Sequence, residues 1–585
     1  MIYNEINSEK KFLFSVVVAV YNSDKYLEKT IESVLFQTLD FAENVQLVLV
    51  NDGSSDASLK ICLDYQRKYP QNVIVVDQEN GGVSNARNNG MEYVTGRYIN
   101  FLDSDDCFSD NALQSVAEFY EKHEKDVDVV CIKTELFGDK KGDTWFNRKF
   151  DKGTRVIDLG KEPQVYLNAT NTSFFHKRIK NQLHFDENMT IAEDLKVVNT
   201  VLANKWKLGV VADALYFYRI HGGSLVDKAK QKKNYYIPYL KNIFFWFYDK
   251  SMKQWGFFPE FLQYTLFRDL FNRFNNNKEV LSVLDENEYA EYKELLIKAI
   301  GCLDAKIIQN NSFCNSDQQV YFLALQKGKP RLECDNDVCI FRWDDTIVKK
   351  KPFYCINHLD FQNKKLIVEG YFVINNVFGK EVELFAKDEK GIYEKIVPFV
   401  TPNADSYAFG NEAMFFRKHF KYECPIGSRK KTIGFYFSAD GEKIPFLCYM
   451  QGQWSPLNNM KTSYYYRNGY VATMRGTSIR AQRIGWFRHL FYQERYIKEI
   501  GKSAKNDVVA KHSILMRRLY NCLNWYYSRK NIWIISDRHC AAGDNGEALF
   551  RYLTENRPAA ACFGGSVSRP FSASGASASS CRPSS

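Results

Sequence analysis

Apolar and polar residues follow two different periods along the first 235 residues. The runs FSVVVAVYN, VQLVLVND, NVIVVDQ and GRYINFLD are continuous, β-branched and bounded by turn residues, the pattern of strands buried on both faces. Between them KYLEKTIESVLFQT, ASLKICLDYQRKY and VSNARNNGMEYV place apolar residues at helical spacing. Strand and helix alternating in this way predict an α/β domain with a parallel-type sheet and helices on both faces. Ligands bind such sheets at the carboxyl ends of the strands. The polar clusters VYN, NDGSSD, DQENGG and DSDD all fall at that edge, so four loops reduce to one candidate site.

The pattern changes further on. Residues 236–335 carry aromatic-rich helical stretches such as PEFLQYTLFRDLFNRF and predict a helical appendage. An aromatic stripe at helical spacing is ordinarily core, although acceptor contacts are left open here. Residues 338–452 alternate with period two, as in KKLIVEGYFVI and KTIGFYFSAD, and predict a small β-sandwich-like module that serves as spacer or carbohydrate-binding unit. In 461–530, Ile484, Phe487, Leu490 and Phe491 share one helical face, and Leu515, Leu519, Cys522, Leu523 and Tyr526 share another. Residues 531–556 read as the start of a second α/β unit, and 557–585, without Lys, Asp, Glu, Leu, Ile or Tyr, as a disordered low-complexity tail.

At 585 residues the chain is too long for one core. Its net charge of +10 is concentrated: Lys461 to Lys530 holds fifteen Lys and Arg against three acids, which leaves the remainder at about −2. Basic amphipathic helices with aromatics suit an anionic membrane surface. Nucleic acid is the competing partner for such charge, but no recognition motif accompanies it. Fourteen cysteines without CxxC spacing point to reduced, buried thiols rather than a disulfide frame or a zinc site. The opening MIYNEINSEKKFLF lacks the apolar core of a signal peptide, and nowhere do eighteen apolar residues run together. A cytoplasmic protein lying against the inner face of the membrane is expected.

The chemistry concentrates in YINFLDSDDCFSDNAL, Tyr98 to Leu113. Ser109 and Asp110 suit a helix start. Asp103, Asp105 and Asp106 do not, because adjacent carboxylates at a strand end repel unless a cation lies among them. Oxygen ligands of this kind suit Mg²⁺ or Mn²⁺ shared with substrate phosphates.

The order VVVAVYNSDKYLEKTIESVLFQT, VNDGSSD, NGGVSNARNNG, FLDSDD resembles the family 2 glycosyltransferases of the GT-A fold, over roughly residues 12 to 225. Asn51 stands where many relatives carry another Asp. The resemblance implies transfer of a sugar from a nucleotide diphosphate, UDP favoured, to a hydroxyl. It places Tyr21 against the nucleobase, Asp52 on the base edge, Arg87 on the nucleotide, and Asn22, Gly81, Gly82 and Ser104 around the donor. Asp103 and Asp105 become the metal pair, with Asp103 also reaching the ribose and Asp106 orienting them. In DENMTIAEDLKVVNTVLA, Glu193 and Asp194 precede a helical stripe of Leu195, Val198, Val201 and Leu202. A negative first turn favoured by the helix dipole would explain the two acids; within the resemblance they match the family's ED pair, whose Asp is the base, here Asp194 supported by Glu193. In YFYRIHGGSLV, His221 matches a metal-ligating loop, with Gly222 and Gly223 supplying the mobility of a lid.

Near the C-terminus, SDR…AGDNGEALFRYL is similar to the opening of the CDP-glycerol glycerophosphotransferases over about 25 residues. Taken together, the expectation is an inverting, metal-dependent glycosyltransferase of bacterial surface polysaccharide or teichoic-acid assembly. Its acceptor would be a polysaccharide, polyol-phosphate or lipid-linked hydroxyl. The alternative is a non-catalytic nucleotide-binding scaffold for a glycerophosphotransferase partner.

Overall fold

The computed structural model describes residues 10–189, 191–221, 230–275, 280–335, 338–375 and most of 377–503, with Arg518 and two short strands beyond. The first domain runs β1 (Phe14–Val20), α1 (Leu27–Leu35), β2 (Val45–Asp52), α2 (Ser58–Lys68), β3 (Val73–Gln78), α3 (Val83–Glu92) and β4 (Tyr98–Asp103). It continues through α4 (Ala112–His123), β5 (Val129–Gly138), β6 (Ser173–His176), α5 (Glu193–Lys205) and β7 (Lys207–Ile220). Every residue of β2 is buried, as expected of a strand covered on both faces.

The strand order is β3-β2-β1-β4-β6-β5-β7. The first four strands are parallel, β6 runs antiparallel to β4 and β5, and β7 is parallel to β5. Register then aligns the strand ends: Val20 lies opposite Asn51, Asn51 opposite Asp77, and Ala19 opposite Asp103. Because side chains alternate between faces, this register delivers the polar strand ends together at one edge.

The helical appendage contains α6 (Trp246–Trp255), α7 (Glu260–Asn275), α8 (Glu286–Gly301) and α9 (Ser316–Lys327). The helices α8 and α9 start with complete capping boxes, Asp285 with Glu288 and Asn315 with Gln318. They are not a separate body. Leu195 and Val198 of α5 share one buried core with Leu240, Phe267 and Phe322, and the Trp206 ring packs edge-on against Trp255 and Phe261. The stripe Leu195, Val198, Val201 and Leu202 is buried as its spacing predicts.

The β-rich region extends beyond the expected 338–452 at both ends. Arg331–Asp335, where the appendage was expected to continue, pairs with Val338–Trp343, whose other edge pairs with Thr346–Lys350. At the other end Tyr464–Arg467, Tyr470–Arg475 and Ser478–Arg483 join the sheet of Lys431–Ala439, with Ile433 opposite Ile479. Those strands lie inside the segment read as basic and helical; they pair with one another as sequence neighbours, the first two around the turn Asn468–Gly469, and only the docking of Ser478–Arg483 on Lys431–Ala439 is distant in sequence. In the described part of 461–530 the helix is α10 (Trp486–Ser503), with Arg518 the one described helical residue beyond it. The second expected stripe, Leu515 to Tyr526, lies outside the described residues.

Beyond it, Ile532–Ile535 is a strand parallel to Ala561–Gly564, the latter in the stretch read as disordered. The rest of 531–585 is outside the described residues. Among the described residues no helix is long and apolar enough to cross a membrane. Of the cysteines whose side chains are described, eight are free and seven of those buried.

Candidate active site

The loop after β1 is stitched to the loop after β2. Asn22, held at φ +48°, accepts the Ser55 amide at 2.8 Å, and its own amide donates to Ser54 Oγ at 3.1 Å. The Ser23 amide donates to Ser58 Oγ, and Ser23 Oγ meets Ser104 Oγ at 2.6 Å. These bonds leave Tyr21 54% exposed, with its ring free to face a ligand.

Asp52, expected on the nucleobase edge, has another task in this structure. It is 3% exposed, and its carboxylate accepts the amides of Gly81 at 2.8 Å and Gly82 at 2.9 Å, with Gln78 Nε2 at 2.8 Å. The carboxylate therefore shapes the glycine turn that a ligand would approach. Gly82 requires its residue type, since φ is +86° just before α3.

Arg87 is the hub of the site. It is buried at 5% exposure on α3, with its guanidinium 5.1 Å from the Phe185 ring. Nη2 donates to Asp103 Oδ1 at 2.9 Å, and Nη1 to Asp194 Oδ1 at 2.8 Å and Glu193 Oε1 at 3.5 Å. Expected on the nucleotide, this guanidinium instead ties the end of β4 to the start of α5. The asparagines of NARNNG hold the intervening segment: Asn88 exchanges hydrogen bonds with the backbone of Phe185 and, with Asn85, donates to Glu187. At the start of α5, Ala192 adopts a left-handed φ of +63°, a strained conformation that surrounding structure must impose.

Burial raises the pKa values of these acids. Glu193 is pushed up to about 7 by burial and by Asp194, against the opposing pull of Arg87. Asp194 is also raised, by burial first, with Arg87 opposing and Asp103 adding to it; Thr170 Oγ1 donates to its Oδ1 at 2.6 Å. Asp103 completes its partners with Asn171 Nδ2 at 2.8 Å.

The other two carboxylates of the turn bond to residues other than Arg87. Asp105 Oδ2 lies 2.9 Å from His221 Nε2, each side chain about one-third exposed, and burial followed by Asp103 raises the Asp105 pKa. Asp106 is 1% exposed and accepts from Tyr216 Oη at 2.6 Å and the Arg219 amide at 2.7 Å; burial, Asp103 and Asp105 push it up to about 8. It therefore anchors β7 to the acidic turn, which brings His221 to Asp105. Gly222 and Gly223 lie outside the described residues.

The donor chemistry at this turn fits a divalent cation in part. Asp105 and His221 are adjacent oxygen and nitrogen donors in a region where carboxylates raise one another's pKa, so positive charge is wanted. Asp103, expected beside them as a ligand, is committed to Arg87 and Asn171, and among the described residues no group of three or more His, Cys, Asp or Glu converges on one point. One carboxylate with the balance from substrate phosphates and water is a normal arrangement for Mg²⁺, whereas an imidazole donor is more typical of transition metals.

Thr170, Asn171, Tyr216 and Arg219 were missed by sequence reasoning. Their one signal is NATNTS, a run of small hydrogen-bonding residues directly before the buried Phe174 and Phe175. Nothing local marks Tyr216 or Arg219 as partners of Asp106.

A parallel sheet edge carrying a glycine turn, an acidic strand end and a second acidic pair on a facing helix defines a nucleotide-sugar transferase class of site. The description "Glycosyl transferase family 2" matches residues 15–187. The minor teichoic acid biosynthesis protein GgaB of Bacillus subtilis (strain 168) is 30% identical over 93% of this chain, and the chain spans 62% of that relative's length. GgaA of the same organism, also named a minor teichoic acid biosynthesis protein, is 33% identical over 55% of this chain and 73% of its own. A crystal structure of Staphylococcus aureus TarS aligns over 81% of this chain and 86% of its own at 17% identity and a TM-score of 0.44. The chain belongs to glycosyl transferase family 2.

Proposed function

We propose that the protein is an inverting, divalent-cation-dependent glycosyltransferase that moves a sugar from a nucleoside diphosphate to a hydroxyl of a teichoic-acid-type polymer. The observation that carries this reading is the Arg87 bridge. One buried guanidinium holds Asp103, at the donor edge, and Asp194, on the facing helix, in fixed relation. Such a clamp suits a reaction in which a base must lie across from a leaving group.

Asp194 is the base. Its raised pKa strengthens it as a proton acceptor, and the Arg87 and Thr170 hydrogen bonds fix the carboxylate and oppose its protonation. Glu193 supports it by sharing the charge of Arg87. Tyr21 offers its exposed ring to the nucleobase, and the Gly81–Gly82 backbone, drawn in by Asp52, borders the donor. Asp105 and His221 would hold Mn²⁺ or Mg²⁺, whose charge would favour departure of the diphosphate.

The names of the two Bacillus relatives support a teichoic-acid polymer as acceptor. The helix α10 supports work at the inner membrane face, because Trp486, Phe487 and Phe491 are exposed beside Arg488 and Arg495. The test is hydrolysis of a nucleotide-sugar panel by the full chain with Mn²⁺. Turnover of one donor, strongly reduced in Asp105→Asn, is expected. Nucleotide binding with no turnover of any donor, even with teichoic-acid polymer added, would favour the non-catalytic scaffold.

A further inference from the structure

Beside the Asp194 half of the site, cationic side chains gather in excess of the one acid near them, Asp269. The turn Trp145–Phe150 supplies Trp145, Arg148 and Lys149, and α7 supplies Arg268. The Arg268 guanidinium lies 3.8 Å from the Trp145 ring centre and 4.2 Å from that of Phe313. Its Nε is buried with no hydrogen-bond partner. Asp269, the next residue, is committed to Arg273 at 3.5 Å. Among the described residues neither Arg268 nor Arg148 makes an ion pair. Burial holds the Arg268 pKa below the ordinary guanidinium value, with Arg148 adding to the effect and Tyr166, Cys314 and Asp269 opposing it without reversing it.

The same corner has an apolar wall open to solvent. Trp145 is 41% exposed, its ring 4.1 Å from Phe146 and 5.7 Å from Tyr166. Lys149 is occupied in holding this wall together, with Nζ donating to the carbonyls of Phe146 at 3.2 Å and Tyr166 at 3.3 Å. Tyr166 opens the loop that reaches the base: Asn199 of α5 donates to the Leu167 carbonyl at 3.1 Å, and Thr170 donates to Asp194. A guanidinium clamped between rings keeps its charge and its planar edge in place, and an arriving phosphate oxygen would satisfy both. The adjacent ring face suits the carbon skeleton of a polyol or sugar.

We propose that Arg268, Arg148 and Trp145 form a subsite for a phosphodiester of the acceptor chain, next to the loop that holds Asp194. This rests on the transferase reading and names the feature of the acceptor that is recognised: a backbone phosphate rather than the hydroxyl alone. Arg268 meets the phosphate, Arg148 adds a second positive charge from the exposed side, and Trp145 covers the neighbouring polyol.

Calorimetry on the full chain with a synthetic glycerol-phosphate oligomer, and with a neutral oligoglycerol of equal length, tests the subsite without requiring turnover. The charged oligomer should bind and the neutral one should not. Arg268→Gln should weaken binding by about tenfold or more, the scale of a lost charged hydrogen bond. Arg148→Gln, an exposed substitution that spares the fold, should weaken it less but measurably, and Arg268→Lys should restore part of the affinity. Equal binding of both oligomers, no binding of the charged one, or wild-type affinity in Arg148→Gln and Arg268→Gln would overturn the proposal. So would binding of phosphatidylglycerol vesicles but not the soluble oligomer, which would assign the corner to a lipid headgroup. Because none of these readouts involves a nucleotide sugar, their failure stands apart from a failure of donor hydrolysis.

Discussion

Two aspartates, each 1% exposed, show how differently the two halves of this molecule treat buried charge. Asp360, in the β-rich region, accepts from Arg467 Nη1 at 2.9 Å, Tyr465 Oη at 3.0 Å, Gln362 Nε2 at 2.8 Å and the Phe361 amide at 2.7 Å. Burial pushes its pKa up, but those partners more than offset this and the net shift is downward. Asp106, in the first domain, has two hydrogen bonds but faces Asp103 and Asp105, and its pKa rises to about 8. A buried carboxylate surrounded by donors is structural. One surrounded by other carboxylates leaves a charge imbalance that only a further cation, or protonation, relieves. The imbalance at the end of β4 is what separates a site from a scaffold here.

The widest separation between the halves should appear in Asp194→Asn. Transfer is expected to fall by at least about 10²-fold, the usual scale for losing a general base, while UDP affinity measured by calorimetry is retained. Near-normal turnover would assign the proton to another residue. The opposite signature is expected of Asp360→Ala, which takes the acceptor away from four donor groups of the β-rich region. Unfolding monitored in urea should show a loss of about 1–3 kcal/mol, with Arg467 already half exposed and able to be solvated. UDP binding should be unaffected; its loss would mean that the two halves are coupled.

The pH dependence sharpens the same contrast. Asp360 has a lowered pKa in the folded state, so its contribution to stability is present above the ordinary carboxylate value and is lost as pH falls through the folded one. Acid unfolding of the β-rich region should therefore be blunted in Asp360→Asn. Glu193 is raised to about 7, so its protonated form is favoured by folding and its stabilising contribution declines as pH rises from about 4 toward 7. In kinetics, the Glu193–Asp194 pair should give an acidic limb in kcat/KM near neutral pH, moved to lower pH by Glu193→Gln. A limb that stays in place would remove Glu193 from the base's surroundings.

The smallest effect concerns the membrane. Deleting 461–530 would take three strands out of the sheet of Lys431–Ala439, so the informative change is at the surface of α10. Replacing Trp486, Phe487 and Phe491 with Ser should reduce sedimentation with anionic vesicles several-fold at moderate salt, since the rings supply the screening-insensitive part of binding. Vesicle binding unchanged by this triple substitution would exclude the helix as the contact.

What the sequence determined by itself was whatever lies in contiguous residues. The buried strands β1 to β4, the polar loops at their carboxyl ends, the apolar stripe of α5 and the acids at Asp103, Asp105, Glu193 and Asp194 were all legible, because hydrophobic period and turn chemistry are local. Tertiary structure alone decided which of those groups meet. It turned Asp52 inward onto Gly81 and Gly82, made Arg87 a bridge between β4 and α5, and brought Thr170 to Asp194, Tyr216 to Asp106 and His221 to Asp105. It also extended the β-rich region to Arg483 through a strand pairing that spans more than forty residues from Ile433 to Ile479. Hydrogen bonds and ion pairs act over about 3 Å in space, whatever the distance along the chain, so the partner of a buried charge is fixed only once the sheet register and helix docking have placed both groups.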